Sequence, residues 1–573
     1  MRTDVFLLAV LAASAFPVGA TGPEGGTAFD GTVKVSAGIP RDLFARQMPL
    51  IESRRASWLT MAEAAKPALY ERNARPARQV RPVADAAAFL GWRFEDAGAF
   101  ASACRKPLAP GDVLYLDFGE HLTGRFSVRL GRFDEPVDAP VRLRLTFGEV
   151  PGELLRPFSD SCGISTSWRQ EEVLTVDDVP SVVEVPRRLS FRFVRLVVDG
   201  CSPNGRFCIE DAFVRAQTSA DEARLVPFAG ETSDAEIDRV ANRTLRECMQ
   251  TVLEDGPKRD RRLWLGDLRL QALANYETYR NLDVVKRSIL VLAGTCATNG
   301  LVSTAAYERP FVERANVAIL DYTALFANVV EEYLTASGDR ETCESLWPLV
   351  LKQADFTLET IGEDGLVKEC LPWWQFVDWQ PKMKHQAAEQ AVIVFSLRAL
   401  ERLGKALGRG ADVSFVPEVL SLMTAAAQKR LWNEQRGVWV SNGDNVSWMS
   451  QAWMALSGIA TSAQARRSLA GVMSMPDAIR PVTPYAHHYF SDALFAAGLH
   501  EKALAHVRGY WGGMVKLGAD TFWEVWVPDD QEKSPYGNVQ INSFCHAWSC
   551  TAGYLLRRMQ RNFAGIPIWQ THL

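Results

Sequence analysis

The sequence predicts a multidomain protein in which an N-terminal β-sandwich is followed by an all-α (α/α)6 toroid barrel. Three observations support this fold class. The chain has 573 residues, which exceeds the size of one ordinary hydrophobic core. Apolar and polar residues alternate from about residue 85 to residue 218. From Ser233 onward the apolar residues recur with a helical period instead, so the change of period marks the boundary between two domains.

The β-sandwich prediction rests on short alternating runs between residues 85 and 218. In "VRLRLTF" the apolar residues Val141, Leu143, Leu145 and Phe147 fall on one face of a strand. "GRFSVRL" shows the same alternation, and "FRFVRLVV" is a further run rich in β-branched and aromatic residues. Gly, Pro and Asp residues separate these runs, as expected for the turns of a sandwich.

The helical pattern extends over residues 225–560, beginning with "SDAEIDRVANRTLRECMQTVL". Similar segments recur near residues 266–280, 284–296, 314–337, 341–361, 383–406, 414–432, 446–457, 461–472, 489–498, 499–514 and 539–558. About twelve helices with short connections predict about six hairpins that close into a barrel. Sugar-processing enzymes commonly use this barrel, an association at the level of the fold only.

The two ends of the chain carry further predictions. "MRTDVFLLAVLAASAFPVGATG" combines an Arg, an apolar stretch and small residues, which is typical of a secretory signal peptide over residues 1–20. We therefore expect an exported protein, periplasmic or extracellular, and no stretch has the ~18 uncharged apolar residues of a membrane span. Residues 21–84 are expected to form a lead-in and linker region, and residues 561–573 a C-terminal tail.

The composition excludes several classes of partner. The chain carries 63 Lys and Arg against 68 Asp and Glu, and its net charge of -5 provides no basic surface for nucleic acid or an anionic membrane. The ten Cys form no CxxC pair or Cys/His cluster, so we expect no metal, and no cofactor motif is present. The 17 Trp favour either stacking platforms for sugar rings or core packing. The sequence predicts no oligomeric state.

The stretch "EDGPKRDRRLWLGD" concentrates carboxyl groups at the start of the helical domain. Asp255 and Asp260 are placed on a loop because the Gly-Pro pair blocks a helix, and Asp267 is placed near a new helix start. One interpretation is a solvated helix start whose carboxylates are neutralised by the adjacent Lys and Arg residues. The other is a sugar site, since Trp264 supplies an aromatic wall beside carboxylates that bind hydroxyl groups.

Three later stretches add candidate site residues. "DTFWEVW" places Glu524 between two Trp residues, which is expected to desolvate the carboxylate and raise its proton affinity. "LPWWQFVDWQ" contributes Asp378 and Trp379, and "NSFCHAWS" contributes His546, with core packing as the alternative role. Glycoside hydrolysis requires two carboxylic groups across the scissile bond. In a closed barrel, Glu524 would meet the carboxylate-rich loop.

These stretches resemble a known family. "DGPKRDRRLWLGD" resembles the D-x-P-x-R-E-R-x-x-W-x-x-D signature of the α-L-rhamnosidases of glycoside hydrolase family 78, and "DTFWEVW" resembles their T-x-W-E motif. "LDFGEHLTGRFSVRL" resembles the β-sandwich that precedes the barrel in that family, and "INSFCHAWS" resembles a later barrel motif. The resemblance covers about residues 85 to 560.

The resemblance implies an inverting reaction in which Asp260 is the general acid and Glu524 activates water as the base. It also implies that the sugar is bound by Asp255, Asp267, Trp264, Asp378, Trp379 and His546. One position departs from the family pattern, because the acid is usually Glu, whereas Asp260 is one methylene shorter.

The leading hypothesis is therefore an exported, inverting exo-glycoside hydrolase that removes a terminal α-L-rhamnosyl or related residue from a glycan or glycoside, without a cofactor. Two alternatives stay open. The same barrel would serve an enzyme for another sugar, such as a uronic acid paired with one of the nearby Arg residues. The protein would otherwise be a non-catalytic glycan-binding relative in which Asp260 marks lost activity.

Overall fold

The structure, a computed structural model, describes residues 40–158, 163–368 and 373–563. Within these residues a sheet-rich region precedes a helical region, as the sequence predicts. The predicted signal peptide lies outside the described residues. The predicted tail is described only as far as Phe563, where the last helix ends.

The sheet-rich region follows two helices, α1 (Arg41–Ala45) and α2 (Met48–Ala64). Its strands are β1 (Tyr70–Ala74), β2 (Arg78–Ala84), β3 (Trp92–Gly98), β4 (Val113–Arg132), β5 (Val141–Gly148), β6 (Glu171–Val176), β7 (Ser181–Glu184), β8 (Leu189–Gly200) and β9 (Phe207–Thr218). A short helix, α3 (Pro151–Leu155), follows β5.

The nine described strands pair in antiparallel fashion, in the order β1-β9-β4-β8-β5-β6, with β2, β3 and β7 joined beside this path. The long strand β4 pairs with β8 along its first part and with β9 along its second. Its register with β8 shifts between Asp117 and Leu122, where the strand bends. The predicted inward-facing residues of β5 are all buried, which confirms the alternation read from "VRLRLTF".

The sheet begins earlier than the predicted boundary at residue 85. Strands β1 and β2 lie within the region predicted to be a linker, and β1 pairs along its whole length with β9. Strand β1 is a mostly exposed edge strand, and β2 has a single buried residue, Val80, so neither strand shows a clear apolar alternation. The alternation of apolar and polar residues therefore does not indicate where the sheet begins.

The helical region contains twelve described α-helices, which matches the predicted number. They are α4 (Ala235–Cys248), α5 (Leu265–Glu277), α6 (Leu282–Gly294), α7 (Leu320–Ser337), α8 (Arg340–Leu358), α9 (Gln386–Ala406), α10 (Val416–Arg430), α11 (Trp448–Leu456), α12 (Ser462–Val472), α13 (Pro484–Ala496), α14 (His500–Lys516) and α15 (Thr551–Phe563). Short strands between them are β10 (Leu263–Trp264), β11 (Ala305–Tyr307), β12 (Glu313–Arg314), β13 (Trp432–Asn433) and β14 (Val438–Trp439).

Two predicted helices begin later than expected. The segment expected from residue 314 starts its helix at Leu320, because residues 313–314 pair with β11 as strand β12. The segment expected from residue 539 starts its helix at Thr551, after a loop with two short 3-10 turns. That loop contributes several groups of the candidate site.

Among the described helices, α5, α7, α9, α11, α13 and α15 contact one another in succession, and α15 contacts α5 again. Each of the other helices from α4 to α14 contacts at least one of these. The first turns of α5, α7 and α9 carry the buried carboxyl groups Asp267, Asp321 and Glu389. A helix N-terminus stabilises negative charge, so this end of the helices provides the polar face for a site.

The region before the sheet packs on the helical region, since α2 contacts α6 and α8. None of the described helices combines the length and apolar character that crossing a bilayer requires.

Gly124→Ala tests the close pairing of β4 with β9. A Cβ atom at Gly124 would lie 2.2 Å from the carbonyl oxygen of Arg215 and 2.7 Å from Cα of Ala216, so the strands would have to separate. We expect destabilisation of about 1–3 kcal/mol, measured as a lower Tm in thermal unfolding. Gly200→Ala in β8 is the matched control, because its Cβ would have no neighbour within 4 Å. Equal Tm values for both variants would contradict the proposed packing.

Candidate active site

The loop between α4 and α5 is folded tightly back on itself. The N–H of Asp255 donates to the carbonyl of Arg262 at 2.8 Å, and the N–H of Arg261 donates to the carbonyl of Gly256 at 3.1 Å. A Cβ atom at Gly256 would lie 2.3 Å from the carbonyl oxygen of Arg259 and 2.9 Å from Oγ of Ser543. Only Gly therefore permits this turn against the later loop that carries Ser543.

Asp255 lies at the base of this loop and is buried. Its carboxylate accepts the N–H groups of Gly256 at 2.8 Å, Arg262 at 3.0 Å and Asp260 at 3.3 Å. Burial, followed by the neighbouring carboxyl group of Asp260, raises the pKa of Asp255 to about 8 despite these donors. Asp255 therefore holds a proton more readily than an ordinary Asp does.

Arg259 bridges the two candidate catalytic carboxylates. Its Nη1 donates to Oδ1 of Asp260 at 3.0 Å, and its Nη2 contacts Oε2 of Glu524. Its Nε donates to the carbonyl of Ile541 at 3.0 Å, and the guanidinium lies over the ring of Tyr536, 4.1 Å from the centroid. Residues that are distant in sequence are thus joined by one buried cation.

Asp260 is the more accessible of the two carboxylates, with 16% of its side chain exposed against 1% for Glu524. Its second oxygen lies 3.6 Å from Nη1 of Arg262, whose guanidinium lies over the ring of Tyr307 in strand β11. Asp260 therefore faces the outer side of the site.

Glu524 is buried and fully hydrogen-bonded. Tyr536 Oη donates to its Oε1 at 2.7 Å, and the N–H of Ser543 donates to its Oε2 at 2.9 Å. Burial raises the pKa of Glu524, but the charge and hydrogen bond of Arg259, the His546 ring and the N–H of Ser543 outweigh burial, so the pKa is lowered from its usual value. The expectation that the flanking Trp residues raise the proton affinity of Glu524 is therefore wrong, because Arg259 and the other contacts lower its pKa by more than burial raises it.

Asp267 and His546 complete the buried cluster. His546 Nδ1 lies 3.6 Å from Oδ1 of Asp267, and its Nε2 lies 3.8 Å from Oε1 of Glu524. Burial, together with Asp255 and Glu524, raises the pKa of Asp267, and burial lowers the pKa of His546 to about 4. Within the described residues, Oδ1 of Asp267 and Nδ1 of His546 have no hydrogen-bond partner. These two atoms therefore retain hydrogen-bonding capacity for a hydroxyl group.

Asp378 is hydrogen-bonded to residues at the start of α13 and not to this cluster. Its carboxylate accepts the N–H of Val482 at 2.8 Å, the N–H of Thr483 at 3.0 Å and the hydroxyl of Thr483 at 2.7 Å. Thr483 is the N-cap of α13, so Asp378 holds the start of that helix. Burial raises the pKa of Asp378 to about 6 despite these donors.

The two Trp candidates make different kinds of contact. Trp379 makes edge-on contacts with Tyr536, at 5.5 Å between ring centroids, and with Trp548, at 5.4 Å. Trp264 is the N-cap residue of α5, where β10 pairs with β11. Close packing behind it depends on Gly266, where a Cβ atom would lie 2.2 Å from Cζ of Tyr322.

The structure thus brings Asp255, Asp260, Asp267, Glu524 and His546 into one cluster. Sequence reasoning missed Arg259, Tyr536 and Ser543 as partners of Glu524. Arg259 begins the run "RDRR" within the stretch "EDGPKRDRRLWLGD", and nothing in the local sequence distinguishes it from the neighbouring Arg residues. Among the described residues, no group of three or more His, Cys, Asp and Glu side chains is arranged to hold a metal ion.

Comparison with known proteins identifies the family. Residues 76–216 match the glycosyl hydrolase family 78 α-rhamnosidase N-terminal domain, and residues 231–559 match the bacterial α-L-rhamnosidase six-hairpin glycosidase domain. The chain belongs to glycoside hydrolase family 78. It is a glycoside hydrolase, as the resemblance in its motifs implied.

Solved structures agree with this family. The chain is 38% identical to a rhamnosidase from Klebsiella oxytoca with rhamnose bound, with a TM-score of 0.85, covering 88% of this chain and 98% of that one. It shares its fold with a family 78 rhamnosidase of Bacillus sp. GL1, at 20% identity and a TM-score of 0.69, covering 81% of this chain and 49% of that one. An α-L-rhamnosidase of Streptomyces avermitilis complexed with L-rhamnose is 18% identical, with a TM-score of 0.62, covering 87% of this chain and 44% of that one. A search of curated proteins finds no match.

The ionisation of two of the buried histidines, His546 and His121, provides a test of this electrostatic arrangement. His546 is expected to stay neutral down to about pH 5, because burial lowers its pKa to about 4. His121 in β4 is the internal contrast, because Cys545 and its partner Glu149 raise its pKa to about 9 against the effect of burial. The measurement is the pH dependence of ¹⁵N shifts in histidine-labelled protein, assigned with His→Gln variants. Titration of His546 near its ordinary pKa would contradict the buried geometry.

Proposed function

We propose that this glycoside hydrolase is an inverting exo-α-L-rhamnosidase that removes a terminal α-L-rhamnosyl residue from a glycan or glycoside. The observation that carries the proposal is the pair Asp260 and Glu524 held on one guanidinium, that of Arg259. The identity to a rhamnosidase with rhamnose bound, over nearly the whole length of that enzyme, supports the choice of sugar.

In the proposed reaction, Asp260 donates its proton to the glycosidic oxygen as the bond to the anomeric carbon breaks. Water attacks the anomeric carbon from the opposite face, and Glu524 accepts the proton that the water loses. The lowered pKa of Glu524 supports this role, because a base must be ionised at the working pH. The greater exposure of Asp260 suits contact with a leaving group that extends out of the site.

We propose inversion because of the resemblance to the motifs of the family. Inverting enzymes separate the two carboxyl groups by roughly 6.5–9.5 Å to admit water, whereas retaining enzymes use roughly 5–5.5 Å. Asp260 and Glu524 contact different nitrogen atoms of Arg259, so the guanidinium stands between them. The separation of the carboxyl groups of Asp260 and Glu524 therefore distinguishes the two mechanisms.

We assign sugar binding to Asp255, Asp267 and His546, with aromatic walls from Trp264 and Trp379. The raised pKa values of Asp255 and Asp267 favour carboxyl groups that donate as well as accept hydrogen bonds, which suits the hydroxyl groups of a neutral sugar. The same crowding of carboxyl groups disfavours a uronic acid. We assign to Asp378 a supporting role at the start of α13 instead of direct sugar contact.

The remaining features of the proposal concern architecture and location. We propose that the twelve helices form an (α/α)6 toroid, supported by the contacts that run from α5 through α15 and back to α5. The strands would form a sandwich in which the bent strand β4 belongs to both layers. Export through residues 1–20 remains part of the proposal on the sequence pattern alone.

Glu524→Gln tests the base. We expect turnover to fall roughly 10²–10⁴-fold, because the amide cannot accept the proton of the attacking water. The measurement is hydrolysis of a panel of aryl glycosides including α-L-rhamnosides, with the product anomer followed by NMR. Glu332→Gln is the control, since Glu332 is also held by an Arg, with Nη2 of Arg269 at 2.6 Å, but lies outside the cluster. Full activity of the Glu524→Gln variant would overturn the assignment.

Asp260→Asn tests the acid through its dependence on the leaving group. A nitrophenolate leaves with little protonation, whereas a sugar alkoxide requires a proton. We therefore expect a loss of roughly 10²–10⁴-fold for rhamnosyl disaccharides and a much smaller loss for nitrophenyl α-L-rhamnoside. The measurement is kcat/KM for both substrate types. Equal losses for both would show that Asp260 does not act as the acid.

A further inference from the structure

The residue before Arg259 is a buried cation that connects the active-site loop to the sheet-rich region. Lys258 Nζ lies 2.6 Å from Oε1 of Glu153 and 3.3 Å from Oε2 of Glu149. Glu149 follows strand β5 and Glu153 lies in α3, so both belong to the sheet-rich region. The Lys258 side chain is 2% exposed, and burying such a charge is tolerated only when it is paired.

Lys258 also binds the loop that supports Glu524. Its Nζ donates to the carbonyl of Asn542 at 2.6 Å and contacts that of Gln540 at 3.5 Å. Arg259 donates to the carbonyl between them, that of Ile541. Adjacent residues of the first loop thus hold three successive carbonyl groups of the second.

The same short segment is held by carboxylates through its N–H groups. The N–H of Ser543 donates to Oε2 of Glu524 at 2.9 Å, and the N–H of Phe544 donates to Oε2 of Glu149 at 2.6 Å. Oε1 of Glu149 lies 3.0 Å from Nε2 of His121, which fixes the carboxylate from the β4 side. Residues 540–544 therefore form a backbone strap between the sheet-rich region and the proposed base.

We propose that Lys258 and its partners Glu149 and Glu153 are positioning residues for catalysis, through which the sheet-rich region sets the alignment of Arg259 and Glu524. The inference rests on the proposed role of Glu524 as the base. None of the three residues is assigned contact with the sugar. Their effect is transmitted through the strap and through the peptide that joins Lys258 to Arg259.

Loosening the strap has a predictable electrostatic consequence. The titratable groups that face Glu524 are Arg259, Asp267, Tyr536 and His546. Burial alone raises the pKa of Glu524, and the Arg259 charge and the Ser543 N–H lower it. When the strap is loosened, these two groups lose alignment, so the pKa of Glu524 rises and the acidic limb of kcat/KM moves to higher pH.

The test compares Lys258→Met, Glu153→Gln and the control Lys286→Met in the full-length chain. Lys286 Nζ pairs with Asp339 at 2.8 Å, which makes it a Lys–carboxylate contact far from the strap in sequence. For Lys258→Met we expect kcat on an aryl α-L-rhamnoside to fall on the order of 10- to 100-fold, because a small misplacement of catalytic groups has such effects. KM should change little, and the acidic limb of the kcat/KM profile should move to higher pH. Glu153→Gln should shift the limb in the same direction by a smaller amount, and Lys286→Met should leave the profile unchanged.

Thermal unfolding of each variant separates positioning from simple loss of stability. A variant with a lower Tm but the parental kcat and acidic limb would overturn the inference. If Lys258→Met does not fold, Glu153→Gln decides by the same measurements, since it removes one charge and retains an oxygen acceptor for Lys258. Full activity of Glu524→Gln would overturn the proposed function itself. An inactive Glu524→Gln beside an unaltered profile for Lys258→Met and Glu153→Gln would overturn only the positioning role.

Discussion

The buried guanidinium of Arg259 is the interaction on which the site depends. It contacts Glu524, Asp260 and the carbonyl of Ile541, and its face lies on the ring of Tyr536. A cation removed from water must be surrounded by such partners, so its position dictates theirs. Because its partners come from two loops that are distant in sequence, this one cation joins the two loops at the site.

Arg259 also divides the carboxyl groups of the site into two kinds. Glu524 contacts the cation directly, so its pKa is lowered although it is buried. Asp255 and Asp267 are buried without such a contact, and burial raises the pKa of both. Carboxyl groups of one cluster thus have pKa values shifted in opposite directions, because Glu524 pairs directly with the Arg259 guanidinium whereas Asp255 and Asp267 do not.

The sheet-rich region belongs to the architecture of this site. Lys258 carries a second buried positive charge into the interface, where Glu149 and Glu153 receive it. The two cations are adjacent in sequence, and Lys258 pairs with carboxylates of the sheet-rich region whereas Arg259 pairs with Glu524. The long match to the Klebsiella oxytoca rhamnosidase includes both regions, which agrees with a catalytic unit that spans their boundary.

The sequence by itself determined the order of the two regions, the number of helices, the family signature and the carboxyl groups Asp255, Asp260, Asp267 and Glu524. Periodicity and short motifs are local properties, so a single chain displays them. The tertiary structure alone decided that Arg259 and Tyr536 serve Glu524, that Asp378 holds α13, and that β1 and β2 join the sheet. It also showed that the pKa of Glu524 is lowered, whereas the sequence predicted that its proton affinity is raised. The physical reason is that burial and charge pairing act between residues hundreds of positions apart, and a local sequence pattern does not specify which of these residues pair in the folded protein.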